Sequence, residues 1–396
     1  MKIDKKYIFT YIVCCLFILA IGLGNASGVF VVPMADKLGV GRGTITLAST
    51  LTDLICCILS PVLVYLLKRF ELRKILFIAT LTYTLSLIGV AMCNNVILYF
   101  ILYIIKGFAF IVFSVHVVII ALGNWFEKGR ETLVGIAVGF TSIGGAIFSQ
   151  VFTWLMNNYS LEFTFIFYGI ATFVLALPAI LYLKLRPEER GLSILKGDSI
   201  KKEKEKIESK RMFHFTDPVF IGICAIFFIM TLLTNISIHF PGYADSIDMA
   251  HMGASMVSAM MMGGFIFKVG IGYICDQYGV KIAYPLSIVT VLVSIIVIVL
   301  GKSEISLLTG SFLFGGIFGN VISLNPFIRY CFGDDQHDEV YAKVLVVSAV
   351  SNFGAPVVGY LYDFTGTYIT SFYAGMILCV IALVIYFMTM KTVDKV

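Results

Sequence analysis

Lys268 stands inside a glycine-rich apolar run, Gly263-Gly264-Phe265-Ile266-Phe267-Lys268-Val269-Gly270-Ile271-Gly272. A cation in a membrane-length helix costs about 2.5–3.5 kcal/mol by insertion scales. It persists where it pairs with a carboxylate, snorkels to an interface or meets an anionic ligand. Lys106 poses the same problem in a second apolar run, and Asp53 is the only carboxylate well inside one. Such an aspartate either carries a coupling proton or serves as the counter-charge of Lys106. His116 and His239 are the other proton carriers in apolar runs. Asn25, Asn235, Asn320 and Ser348 are neutral polar groups there; they act as interhelical glue or touch polar atoms of a substrate. At helical spacing Gly264, Lys268 and Gly272 share one face, and so do Thr231, Asn235 and His239.

Covalent chemistry has no foothold. The sequence holds no His-Glu-x-x-His, no Gly-x-Ser-x-Gly and no Gly-x-x-x-x-Gly-Lys-Ser/Thr loop. The nine cysteines fall in or beside apolar runs without Cys-x-x-Cys or Cys/His spacing, so they read as packing residues. No metal, cofactor or enzymatic activity is expected, and the net charge of +5 is no nucleic-acid footprint.

The elements that carry these residues follow from composition. Hydrophobic residues make up 59% of the chain and charged residues 13%, against about 25% charged in soluble globules. The apolar runs are long and apolar all round, which predicts helices crossing a bilayer rather than a β-barrel. Twelve spans are expected at 7–32, 44–67, 75–93, 97–123, 132–156, 162–184, 218–242, 252–275, 281–300, 305–331, 340–362 and 368–390.

Of the 29 Lys and Arg residues, only Lys37, Arg42 and Lys302 fall in loops on the outer side, with Lys106 and Lys268 inside spans. The positive-inside rule then puts both termini in the cytoplasm. The mixed-charge stretch Lys201-Lys-Glu-Lys-Glu-Lys206 predicts a solvated linker at 185–216, between six-helix halves at 1–184 and 217–396. The halves repeat one another. Asn25-x-Ser27-x-x-Phe30 recurs as Asn235-x-Ser237-x-x-Phe240, and Gly144 falls on Gly354 at the same offset. Parallel repeats of six spans are a transporter architecture.

A loop pattern adds to this. Gly272, Asp276, Gly279 and Lys281 stand as Gly-x-x-x-Asp-x-x-Gly-x-Lys between spans 8 and 9. The pattern resembles the cytoplasmic motif of the major facilitator superfamily, in which it serves as a conformational gate. The equivalent loop after span 2 departs from it, with Val64, Lys68 and Glu71 in place of Gly, Asp and Gly. Further segments resemble the oxalate:formate antiporter and monocarboxylate transporter group. They are Gly28-Val-Phe30 with Leu38-Gly39-Val-Gly-Arg42, Trp125-Phe126-Glu-Lys-Gly-Arg130, Arg186-Pro187-Glu-Glu-Arg-Gly191 and Gly359-Tyr-Leu-Tyr-Asp363-Phe-Thr365-Gly366.

The resemblance implies an all-α major facilitator fold in which spans 1, 4, 7 and 10 line a central cavity. That favours Asn25, Asn235 and Asn320 as lining groups, and it makes Lys268 the carboxylate-binding cation of span 8. A second basic residue, found in span 11 of oxalate carriers, is replaced here by Ser348. One anchoring charge, helped by Lys106, suits one carboxylate. The expected function is therefore transport of a small organic anion, a monocarboxylate, across the cytoplasmic membrane by alternating access. A proton or counter-anion couples it, and the carrier is expected to be a monomer in the bilayer. Alternatives are a multidrug or other-metabolite antiporter in which Asp53 outweighs Lys268, and a transport-inactive sensor.

Overall fold

A helix that is apolar on every face has no side to offer water. Leu85, Ile97, Val269, Val346 and Phe387 all stand exposed on long helices, as residues facing lipid do. The computed structural model describes residues 5–127, 130–195, 213–301 and 303–393, without the side chains at 60, 64, 130–132, 334, 338 and 348. These residues are all-helical but for an isolated bridge between Phe126 and Leu195. Eleven helices are long and apolar enough to cross a membrane, and twelve when the bent pair Arg42–Ile58 and Pro61–Arg69 counts as one span. That pair bends by 54°, at a proline that removes a backbone donor and disfavours helix in the residue before it. Span 9 is Val280–Leu300, close to the expected 281–300, whereas span 1 runs on to Leu38 beyond the expected 32 and span 7 to Ser246 beyond 242.

The chain divides into two units, Met1–Val40 with Ala48–Ile200, and Gly41–Leu47 with Lys201–Val396. The first turns of span 2 thus belong to the second unit.

Inside each unit the spans named as cavity-lining are broken. In the first unit, span 1 runs as Lys5–Gly22, a 3₁₀ stretch Leu23–Phe30, and Val31–Leu38. Span 4 runs as Val96–Phe110 and Val115–Trp125, with Ser114 closing the gap through a bond from its hydroxyl to the Ile111 carbonyl at 3.1 Å. In the second unit, span 7 runs as Pro218–Thr234, a 3₁₀ stretch Asn235–His239, and Phe240–Ser246. Span 10 starts as Glu304–Phe314, turns at Gly315 and Gly316, and ends where Gly333 takes φ 74°.

The repeat seen in sequence is built into the packing. The Asn25 amide donates to the Thr141 carbonyl at 3.1 Å, and the Asn235 amide to the Ser351 carbonyl at 3.1 Å. Both donor and acceptor shift by the same 210 positions (25 to 235, 141 to 351). A Cβ on Gly144 would lie 2.8 Å from the Leu19 carbonyl oxygen, and one on Gly354 2.8 Å from that of Leu232. Each unit therefore packs its first span on its fifth through the same glycine and the same asparagine.

The start of the expected linker, with Arg186, Glu188, Glu189 and Ser193 exposed, is tied to the first unit through its backbone carbonyls. Trp125, fully buried, donates its indole N–H to the Lys184 carbonyl at 2.8 Å, and the Asn124 amide donates to that of Leu185 at 3.1 Å. The Tyr7 hydroxyl reaches the Ser193 carbonyl at 2.6 Å. A buried indole needs an acceptor, and the stretch from Lys184 to Leu195 provides it on the first unit. The charged run 201–206 lies outside the described residues.

Candidate functional site

In the first unit, Gly107 lets span 4 meet span 2 closely. A Cβ there would stand 3.2 Å from the Thr52 Cα and from the Ile55 Cβ. The Thr52 hydroxyl donates across the seam to the Tyr103 carbonyl at 2.8 Å. The neighbours of these residues, Asp53 and Lys106, are thereby brought together, and their charges act on each other. Lys106 is 9% exposed, whereas Asp53 is exposed. The Lys106 ammonium lies 3.9 Å from the Tyr103 ring centroid and 5.7 Å from that of Tyr83. Such cation–π contacts contribute about 0.5–2 kcal/mol. Tyr83 continues to the Tyr168 hydroxyl at 3.1 Å and packs on Phe113 at 4.8 Å. The arrangement is a buried cation walled by aromatic faces, with a carboxylate beside it. His116 follows the break in span 4 and is exposed. Phe30, by contrast, stacks at 4.4 Å on buried Phe165, as core.

In the second unit, Lys268 lies on Gly253–Tyr278, half-buried, with its ammonium 4.7 Å from the Phe318 ring centroid. Glycines let span 10 come this near. A Cβ on Gly264 would sit 2.5 Å from Phe318, and one on Gly315 2.2 Å from the Gly264 nitrogen. The face shared by Gly264 and Lys268 is therefore closely packed at Gly264 and does not form an open groove there. Asn320 is 2% exposed, and its amide oxygen finds no donor among the described residues. Asn235 spends its amide on the Thr231 and Ser351 carbonyls. The even stripe expected of Thr231, Asn235 and His239 is interrupted, because Asn235–His239 is 3₁₀ and turns its residues through a different angle. The Ser348 side chain lies outside the described residues.

The loop motif forms the tight turn its glycine implies. Gly279 takes φ 82° between Gly253–Tyr278 and Val280–Leu300, a conformation that favours glycine. Asp276 is exposed there, and Lys281 holds its ammonium 5.3 Å from the Tyr330 ring centroid. A Cβ on Gly272 would lie 3.6 Å from the Ile322 side chain, in ordinary contact.

One assembly escaped the sequence reading. Arg42, which opens span 2, donates to the Gly242 carbonyl at 3.1 Å, to the Tyr368 hydroxyl at 3.1 Å and to the Asp245 carboxylate at 3.0 Å. Its guanidinium lies 4.2 Å from the Tyr362 ring centroid. The backbone N–H groups of Arg42 and Gly43 donate to the two Asp363 carboxylate oxygens at 2.9 and 3.0 Å. His239 joins through Tyr368. Its Nε2 is 2.8 Å from the Ala355 carbonyl, which can only accept, so Nδ1 faces the Tyr368 hydroxyl at 3.4 Å as acceptor. Burial pushes the Tyr368 hydroxyl up to about 12, against the pull of Arg42, so it stays protonated at neutral pH. Arg42 and Asp363 each stand in a segment that carries the family resemblance, but nothing in the sequence pairs them, the partners of Arg42 lying about 200 to 330 residues away.

Among the described residues no group of three His, Cys, Asp or Glu could hold a metal ion. Residues 12–324 match the Major Facilitator Superfamily. The MFS-type transporter pynF of Aspergillus niger is 21% identical over 212 residues, 52% of this chain and 45% of its own length. The aspyridones efflux protein apdF of Emericella nidulans is 22% identical over 308 residues, 75% of this chain and 59% of its own. The chain thus matches about half of the length of these curated relatives. Among solved structures, a bacterial homologue of the human lysosomal transporter Spinster, inward-facing and unoccupied, gives a TM-score of 0.74 at 12% identity, covering 99% of this chain and 98% of that one. The nucleoside transporter NupG gives 0.69 at 16% identity, covering 100% of both. At such identity these likenesses speak for the fold alone. The family match takes in residues of both units, and the chain belongs to the Major Facilitator Superfamily.

Proposed function

We propose that this transporter moves a small organic anion, a monocarboxylate, by alternating access, coupled to a proton or exchanged for a second anion. The observation that carries this reading is a pair of lysines inside spans, Lys106 and Lys268, each with its ammonium against aromatic rings. A cation kept inside a span favours an anionic cargo. Lys268 supplies the anchoring charge, and the Asn320 amide oxygen, which finds no donor among the described residues, accepts from a hydroxyl or a water on the cargo. Asp53, beside Lys106, takes the coupling proton, and His116 stands as its exposed alternative. Asn25, Asn235 and His239 shape the lining more than they bind, since each is engaged with a backbone carbonyl. The turn at Gly272, Asp276, Gly279 and Lys281 acts as a gate. The protein works in the cytoplasmic membrane as a monomer, with both termini inside and a linker at 185–216 joining halves 1–184 and 217–396. No cofactor or covalent chemistry takes part.

The test is a thermal-shift panel of formate, lactate, pyruvate, oxalate and benzoate on purified protein, repeated with Lys268→Gln. Stabilisation grows as RT ln(1 + [L]/Kd). A monocarboxylate that raises Tm in the wild type and loses that effect in Lys268→Gln supports the reading. No shift with any carboxylate sinks it. The relative named for aspyridones efflux supports a second reading, export of a larger organic product. Outward flux of a lipophilic product, unaltered in Lys268→Gln and abolished in Asp53→Asn, would favour that one.

A further inference from the structure

Asp53 and Lys106 are opposite charges that the first unit holds well inside its spans. The close seam at Gly107 and the Thr52 bond to the Tyr103 carbonyl bring them near enough to act on each other. They do not touch. Among the described residues neither makes a hydrogen bond or an ion pair, and the Lys106 ammonium meets ring faces instead. A pair built for stability alone closes up, because only tight contact and further hydrogen bonds offset the loss of water around two ions. Here Lys106 is 9% exposed and that offset is missing. We propose that the gap between them is a binding site, in which Lys106 takes the carboxylate and Asp53 the ammonium of a zwitterionic α-amino acid. The proposal rests on the carboxylate reading above and adds a second charge to its cargo.

Three features suit such a ligand. The first is reach. An α-amino acid carries both charges on one carbon, and each end makes a charge-assisted hydrogen bond of about 2.7–2.9 Å. It therefore bridges a carboxylate and an ammonium that stand too far apart to meet. The second is charge balance. A bare carboxylate brings net charge into an apolar span, which is costly unless a proton on Asp53 cancels it. A zwitterion brings none, since its ammonium stands where that proton would. The third is the wall. Tyr83 lies beside the same pair and packs on Phe113 at 4.8 Å, which gives an apolar side chain a surface to lie on. The Tyr83 and Tyr168 hydroxyls share one hydrogen bond at 3.1 Å, so one O–H is left to donate. A Cβ on Gly24, in the 3₁₀ stretch of span 1, would lie 3.4 Å from the Tyr168 hydroxyl. The glycine thus keeps that O–H uncovered.

Matched pairs of ligands test this on the purified full chain by thermal shift. Glycine, alanine, valine and phenylalanine are each titrated against the same acid without its amine: acetate, propionate, isovalerate and hydrocinnamate. At least one amino acid should half-saturate the shift at a concentration about tenfold or more below its acid, the size of one charge-assisted bond. Asp53→Asn should erase that advantage and leave the acid binding at least as tightly, whereas a merely structural loss weakens both members alike. Acids that bind as tightly as their amino acids overturn the zwitterion and leave the carboxylate reading standing. An advantage that survives Asp53→Asn overturns the site. No shift from any member overturns both readings. Should Asp53→Asn fail to fold, the N-acetyl amino acid on the wild type replaces it: without the ammonium it must fall back to the affinity of the acid, and unchanged tight binding overturns the proposal.

Discussion

Asp53 and Lys106 offer the sharpest test of the first unit's chemistry. The perturbation is a double-mutant cycle with Asp53→Asn, Lys106→Met and both together. Two unit charges roughly 4–8 Å apart interact by about 2–4 kcal/mol at an effective dielectric of about 20. The pair lies inside the spans, so water screens it less than a surface pair, and the expected coupling is about 1–4 kcal/mol. The singles differ in kind. Asp53→Asn strands a cation that is 9% exposed, whereas Lys106→Met also gives up the contacts with Tyr103 and Tyr83. The cycle removes these private terms. The double variant should be less destabilised than the sum of the singles by the coupling energy. Equilibrium unfolding in mixed micelles, followed by tryptophan fluorescence, reads it, because Trp125 is fully buried on the same unit. Single effects that add to within about 0.5 kcal/mol would refute the pairing. The proton role of Asp53 would then lose its physical basis.

The repeat makes a matched prediction. Gly144→Ala and Gly354→Ala each press a Cβ to 2.8 Å from a carbonyl oxygen, so each should destabilise by about 1–3 kcal/mol. Gly135→Ala, with nothing within 4 Å, should be neutral or stabilising by up to about 1 kcal/mol; comparable thermal shifts for all three would contradict the close packing. Trp125→Phe removes the donor to the Lys184 carbonyl, which costs about 1–3 kcal/mol locally. Trypsin should then cut after Lys184 or Arg190 on the order of tenfold faster in a timed digest, and an unchanged rate would deny that this bond holds the segment.

Residues that act through hydropathy or a fixed offset were legible in the sequence. Span limits followed from long apolar runs, and Asn25 with Asn235 announced a repeat that the paired bonds to Thr141 and Ser351 bear out. Gly279 was legible because a turn with φ 82° favours that residue. What stayed hidden depends on long-range partners. Nothing near Arg42 names Asp363 or Tyr368, since side-chain patterns carry no address for a contact some 320 residues away. The breaks were hidden too, because a 3₁₀ stretch keeps the composition of the helix around it. Treating span 7 as one regular helix therefore set His239 in line with Asn235, and the 3₁₀ stretch undoes that alignment.

The breaks carry functional information of their own. In hydrocarbon an unsatisfied backbone group costs several kcal/mol, so irregular backbone at membrane depth survives only inside protein or beside a water-filled path. The residues singled out for chemistry cluster at such irregularities. Asn25 lies within Leu23–Phe30, and Asn235 and His239 within Asn235–His239. Lys106 lies four residues before Phe110, where the first half of span 4 ends, and Lys268 rests on Phe318, just past the turn at Gly315 and Gly316. Two independent costs thus coincide, a charge or amide in an apolar span and a broken hydrogen-bond ladder. A core built only for stability would avoid both, whereas a path that must accept and release a polar cargo requires them together.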